Sequence, residues 1–175
     1  YVDAIVDFNE PLGEYKNNIL YFVGDITNPK CYTQVFEYIK EHGLFDFCIC
    51  THTLEDIINP VFVCEQMEKI SKQGFIAFPT KYRELSKDEG GYRGYIHHRW
   101  IFALKDKTII AFPKINYIDS TNIFDSIADH NDDIQEISFF WDNTIEIQYL
   151  NNNYLGPTVE AVKEYYNLLL DKSYI

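Results

Sequence analysis

The sequence predicts an α/β fold: a mostly parallel sheet with flanking helices, plus antiparallel β-hairpins in the C-terminal half. Three observations predict it. The unbroken apolar run ILYFV at 19–23 reads as a strand buried on both faces, and FDFCIC at 45–50 as a short buried strand. Two stretches opened by Asn-Pro and closed by Gly, at 28–43 and 59–74, carry apolar residues at helical spacing. Strand, helix and strand then alternate twice, and such crossovers require parallel neighbours.

Taken in order, residues 2–7 form a strand ending in Asp7, and 8–18, with Pro11 and Gly13, a loop. Residues 19–23 form a strand closed by Gly24-Asp25. The first helix follows Asn28-Pro29, with Cys31, Tyr32, Val35, Phe36 and Ile39 as its apolar stripe and Gly43 as its stop. The second follows Asn59-Pro60, with Val63, Cys64, Met67 and Ile70 inward and Gly74 as its stop. A strand at 75–78 leads into a long basic loop, 79–96, carrying Lys81, Arg83, Lys87 and Arg93. A loop of this length in a compact domain is usually functional. A hairpin is expected over 95–104 and 108–112, and a second over 134–141 and 144–150 with its turn at Asp142-Asn143. A last helix spans about 156–171 with Val159, Val162, Tyr166 and Leu169 inward.

The 175 residues are read as a single domain, 1–175, with loop 79–96 and hairpin 95–113 as an insertion after the last parallel strand. Hydrophobic residues make up 46% and aromatic residues 17%, which excludes disorder. A net charge of −12 excludes the basic footprint of non-specific nucleic-acid binding and disfavours an anionic membrane surface. No apolar run is long enough to cross a membrane as a helix. The four cysteines lack metal-type spacing and read as buried thiols, so no metal site is expected and the compartment is taken as reducing and cytoplasmic. Because the sequence starts with Tyr1, entering a strand almost at once, it reads as lacking its own N-terminus.

The strand at 45–50 ends in the polar cluster 51–56 (THTLED). Carboxyl ends of strands in open α/β sheets are where ligands bind, so the floor of any site is expected here. FDFCICTHTLEDIINP at 45–60, followed by MEKISKQGFIAFP at 67–79, resembles class I S-adenosylmethionine-dependent methyltransferases. That resemblance, covering about residues 1–80, implies a Rossmann-like sheet and S-adenosylmethionine as cofactor. It matches Asp7 to the acid that holds the ribose hydroxyls, Asp25 and Ile26 to the adenine contact, and Thr51 and His52 to the boundary between methionine and methyl acceptor. The family's glycine-rich loop would precede Tyr1. The resemblance therefore also implies that the cofactor surface in this chain is incomplete.

The tract His97-His98-Arg99-Trp100 is read as a strand, so alternation would place His97 and Arg99 on one face and His98 and Trp100 on the other. The plain reading is one buried Trp with polar edges. The sharper one has His97 and Arg99 facing the acceptor as general base and anion clamp, alongside His52. The function so implied is methyl transfer to a small, anionic acceptor such as a sugar nucleotide, with a homodimer as the oligomeric form. The alternatives are a degenerate, non-catalytic methyltransferase-like binding domain and another nucleotide-binding α/β enzyme.

Overall fold

The computed structural model describes residues 4–7, 20–87, 90–128, 135–150, 156 and 158–175. The loops expected at 8–18 and 151–153, the acidic stretch around His130 and the side chain of Asp7 lie outside the described residues.

The local chemistry that opens each helix acts as expected. The Asn28 side chain accepts from Lys30 N–H, and a 3-10 turn, Pro29–Tyr32, leads into α1, Thr33–His42. Gly43, at φ 88°, ends α1 with its N–H on Ile39 O. Asn59 Oδ1 accepts from Phe62 N–H at 3.0 Å, and Pro60 starts α2, Pro60–Ile70. Gly74 does not stop this helix. It sits inside a strand, where a Cβ would come 2.1 Å from Cys48 O and 2.6 Å from Trp141 Nε1.

The strands are β1 (Ala4–Asp7), β2 (Leu20–Val23), β3 (Cys48–Thr51), β4 (Gln73–Pro79), β5 (Trp100–Lys105), β6 (Thr108–Pro113), β7 (Glu136–Asp142) and β8 (Ile147–Tyr149). Short helices α3 (Lys81–Leu85), α4 (Asn116–Ser120) and α5 (Asp125–Ala128) lie between them, and α6 (Val159–Asn167) follows. Helix α3, capped by Thr80, occupies part of the segment expected to be loop.

The mostly parallel, Rossmann-like sheet is not formed. The described strands make a parallel pair, β1-β2, and two mixed three-stranded sheets, β3-β4-β7 and β5-β6-β8. Of the two strand–helix–strand crossovers expected from the sequence, β3–α2–β4 joins parallel neighbours and β2–α1–β3 does not, because β2 and β3 fall in different sheets. The first hairpin is present as antiparallel β5–β6. The second is absent, because its two strands choose different partners. β7 runs antiparallel to β4 from Gln73↔Asp142 to Pro79↔Glu136, whereas β8 pairs parallel to β6. The turn between them is held elsewhere: Asn143 N–H donates to Lys72 O at 2.6 Å and Ile145 N–H to Glu68 Oε1 at 2.6 Å. These bonds draw the chain across the α2–β4 turn and on to β6, so it cannot fold back on β7.

The period of two along β5 and β6 divides the core. Phe102, Ile109 and Ala111 join Ile76, Phe78, Ile137 and Trp141 between the two sheets, with Val63 and Met67 of α2. Ile101, Ala103, Ile110 and Phe112 face the other way, against Phe124, Tyr166 and Leu169. Both faces of these strands are thus buried, as their apolar runs require. In α6, Val162 packs toward this second cluster as expected, but Val159 is exposed. On the far face of β3-β4-β7, the cross-strand row Ile49, Phe75 and Phe140 is left partly open to solvent.

Candidate functional site

At the carboxyl end of β3, His52 N–H extends the ladder to Ala77 O at 3.0 Å, and the backbone then turns into the left-handed region, φ 48°. A non-glycine residue there costs about 1–2 kcal/mol, and such strain clusters at functional sites. The turn presents the exposed His52 ring between two carboxylates. Nε2 lies 2.6 Å from Glu136 Oε2, at the start of β7, and Nδ1 lies 3.4 Å from Glu55 Oε1.

Glu55 is buried, 1% exposed, and among the described residues neither of its carboxylate oxygens has a hydrogen-bond partner. Desolvation pushes its carboxyl above the usual range, against the opposing pull of His98 and His52. Its backbone carbonyl accepts from Arg99 N–H at 2.7 Å and Trp100 N–H at 3.2 Å, while Trp100 Nε1 donates to Ile57 O. These bonds dock the segment before β5 onto the β3–α2 loop.

That docking brings a second cluster beside the first. His98, buried, places Nδ1 2.7 Å from Glu84 Oε1 of α3 and Nε2 3.7 Å from Asp56 Oδ1. The other Glu84 oxygen pairs with Lys114 Nζ at 2.9 Å, and Lys114 also donates to Tyr95 O. His97 Nε2 lies 3.7 Å from the same Asp56 oxygen. Asp56, His97 and His98 can each offer one ligand atom within 4.8 Å of the others. Gly94 makes this approach possible: at φ 56°, it passes so close to Glu84 that a Cβ would lie 2.7 Å from that residue's Cα.

The expected site residues fall into two groups. Thr51 and His52 stand at the strand end as anticipated, both exposed. His97 and Arg99 also reach this region, but not as alternating strand positions. Residues 96–97 form a turn and β5 begins only at Trp100, so His97 and His98 both approach Asp56 while Arg99 is exposed. Asp25 lies away from this cluster in an exposed turn, its Oδ1 accepting from Thr27 N–H at 2.8 Å and Thr27 Oγ1 at 2.7 Å. Those two bonds hold its carboxyl below the usual range. Ile26 packs against the core between the sheets. Asp7 closes β1, and its side chain lies outside the described residues.

Most of the basic loop is used internally. Arg93 is fully buried and donates to the carbonyls of Leu85, Ile118 and Thr121 and to the Asp125 carboxylate. Lys81 Nζ donates to Asp171 O at 2.8 Å, and burial pulls its ammonium down to about 8. The thiols behave as packing groups, with burial raising Cys48 to about 11 and Cys50 to about 12.

Glu84, Lys114 and Glu136 escaped the sequence reading, and His98 was placed by alternation on the face opposite His97 and Arg99. Glu136 had no local signal, and Glu84 lies 28 positions beyond Asp56 (84 − 56), on a segment that looked like loop. A concavity of about 550 Å³ exists at the opposite ends of β3 and β4, lined by Phe45, Lys72, Gln73 and Asp142 among others. None of the histidines lines it, so this concavity and the histidine–carboxylate cluster lie at different ends of the sheet.

Fold and site together define a mixed α/β protein with a histidine–carboxylate cluster at its strand ends. No protein-family model, no curated protein and no solved structure matches this chain. Among the described residues, no helix is long and apolar enough to cross a membrane.

Proposed function

We propose that the chain is a group-transfer enzyme, of the S-adenosylmethionine-dependent methyltransferase kind that residues 45–79 resemble, with its acceptor site around His52. The observation that carries this reading is the placement of His52. It is an exposed imidazole held in a left-handed turn at a strand end, with one carboxylate against each ring nitrogen. A base oriented by a hydrogen-bonded carboxylate is the arrangement general base catalysis requires.

S-adenosylmethionine would supply an electrophilic methyl group. The acceptor oxygen or nitrogen would bond to that methyl carbon as the carbon–sulfur bond breaks and the thioether leaves, while His52, its Nε2–H held by Glu136, takes the acceptor's proton at Nδ1 and Glu136 and Glu55 stabilise the resulting imidazolium. Thr51, beside it, offers a hydroxyl to orient the acceptor, and the exposed Arg99 suits an anionic group on that molecule. Asp25, which the resemblance matches to the adenine contact, has one carboxylate oxygen, Oδ2, without a protein partner among the described residues, enough to accept one bond from the adenine.

Calorimetry with S-adenosylhomocysteine tests the reading. We expect binding, weakened about tenfold or more in Asp25→Ala, since a hydrogen bond to a charged group contributes about 1.5–3 kcal/mol. Absence of binding to the wild-type chain overturns it. The second reading, a non-catalytic binding domain, is favoured by the engagement of Asp25 with Thr27 and by the break in pairing between β2 and β3.

A further inference from the structure

We propose that Asp56, His97 and His98 form a binding site for a first-row divalent transition metal ion, with Zn²⁺ as the natural probe. Two histidines and one carboxylate are a donor set that suits such ions, whereas magnesium and calcium prefer all-oxygen ligands. The site stands on its own geometry and does not depend on the methyl-transfer reading.

Three features point to a cation. First, Glu84 is an acceptor toward His98 Nδ1 at 2.7 Å, which fixes the proton on Nδ1 and turns the Nε2 lone pair outward. Carboxylate–histidine–metal relays are built in this way, the carboxylate setting the tautomer and raising the basicity of the ligating nitrogen. Lys114 holds the other oxygen of Glu84 and so fixes the carboxylate itself.

Second, the atom that His98 Nε2 faces is another acceptor. Asp56 Oδ1 is shielded from solvent and has no hydrogen-bond partner among the described residues, and it stands 3.7 Å from His98 Nε2 and 3.7 Å from His97 Nε2. That spacing is too long for a hydrogen bond. It is close to the separation of two ligands bound to one ion at about 2.0–2.2 Å. Lone pairs facing each other across such a gap repel unless something positive lies between them.

Third, the neighbouring Glu55 carboxylate is also buried and also without a hydrogen bond among the described residues. His98 and Asp56 are among the groups that act on it electrostatically. An ion beside it would offset the cost of burying that charge. Three protein ligands leave at least one coordination position open, as in catalytic rather than structural metal sites.

Titration of ZnCl₂ into the full chain by calorimetry, without any nucleotide cofactor, tests the proposal, with MgCl₂ as comparison. We expect one zinc site and no comparable magnesium binding. His97→Ala and Asp56→Asn change groups that are 62% and 41% exposed, so both should fold and both should lose the site. Glu84→Gln should weaken zinc by about 10–100-fold, as loss of an outer-sphere partner does. Substitution with Co²⁺ should give a spectrum without an intense thiolate charge-transfer band. Absence of zinc binding by the wild type would overturn the site, as would undiminished binding by a natively folded Asp56→Asn or a thiolate band implicating the cysteines.

Discussion

Arg93 offers the sharpest test of how this chain uses its basic segment. Its guanidinium donates to three carbonyl oxygens, those of Leu85 at 2.7 Å, Ile118 at 3.0 Å and Thr121 at 2.9 Å. It thereby ties the end of α3 to α4 and its C-terminal cap, and the Asp125 carboxylate adds the start of α5. In Arg93→Ala all three carbonyls lose a charged donor. Three such bonds at about 1.5–3 kcal/mol each give an upper range of about 4.5–9 kcal/mol. Water entering the space left behind recovers part of that, so we expect a loss of about 4 kcal/mol. The Asp125 contact is left out of this sum because that carboxylate is solvated. With a urea slope of about 2 kcal/mol/M, the unfolding midpoint should fall by ~2 M. Arg99→Ala, at an exposed position of the same segment, should stay within about 0.5 kcal/mol of the wild type. Equilibrium urea unfolding followed by circular dichroism measures both. If Arg93→Ala unfolds within about 0.5 M of the wild type, the guanidinium is not the internal tie described above.

Lys81 should give a distinctive pH profile. Its folded pKa, about 8, lies below the ordinary 10.5, so between those values the unfolded chain holds a proton that the folded one has released. Its contribution to stability therefore rises with pH from about 8 to 10.5, and the stability of the wild type relative to Lys81→Met should rise across that window in unfolding titrations. A flat difference refutes the burial argument. Gly94→Ala should lose about 2–4 kcal/mol, combining left-handed strain with overlap against the Glu84 backbone, and chemical unfolding would measure it. A change under about 0.5 kcal/mol would mean the close approach is not real.

The two helices that open with Asn-Pro were legible because their signals are local: a side-chain acceptor two or three residues from the N–H it satisfies, and a proline preset for the first turn. The β5–β6 hairpin was legible for the same reason. Sheet membership was not. Whether β7 pairs with β8 or with β4 is settled by Asn143 and Ile145 bonding to Lys72 and Glu68, contacts that span more than 70 positions and leave no periodic trace. The candidate site divides along the same line. His52 and Glu55 were visible as a polar cluster ending an apolar strand. His98 was assigned a face by strand alternation, which fails because the chain turns at 96–97 before β5 begins. Arg93 was read as part of a functional basic loop, since an arginine in a polar loop carries no mark of the carbonyls that will surround it.

The close passage of Gly94 over Glu84 has a consequence for any population of related sequences. A side chain at position 94 would strike main-chain atoms of residue 84, which no change of rotamer can avoid. Glycine at 94 is therefore required wherever the chain passes over residue 84 in this way, whichever side chain stands at 84. A lineage that keeps the acid at 84, the lysine at 114 and the histidine at 98 in this arrangement keeps glycine at 94 as well. Thr80, Glu84, Arg93-Gly94 and His98-Arg99-Trp100 thus form a spaced signature. Its joint retention or joint loss among relatives would separate those that share this cluster from those that share only the fold.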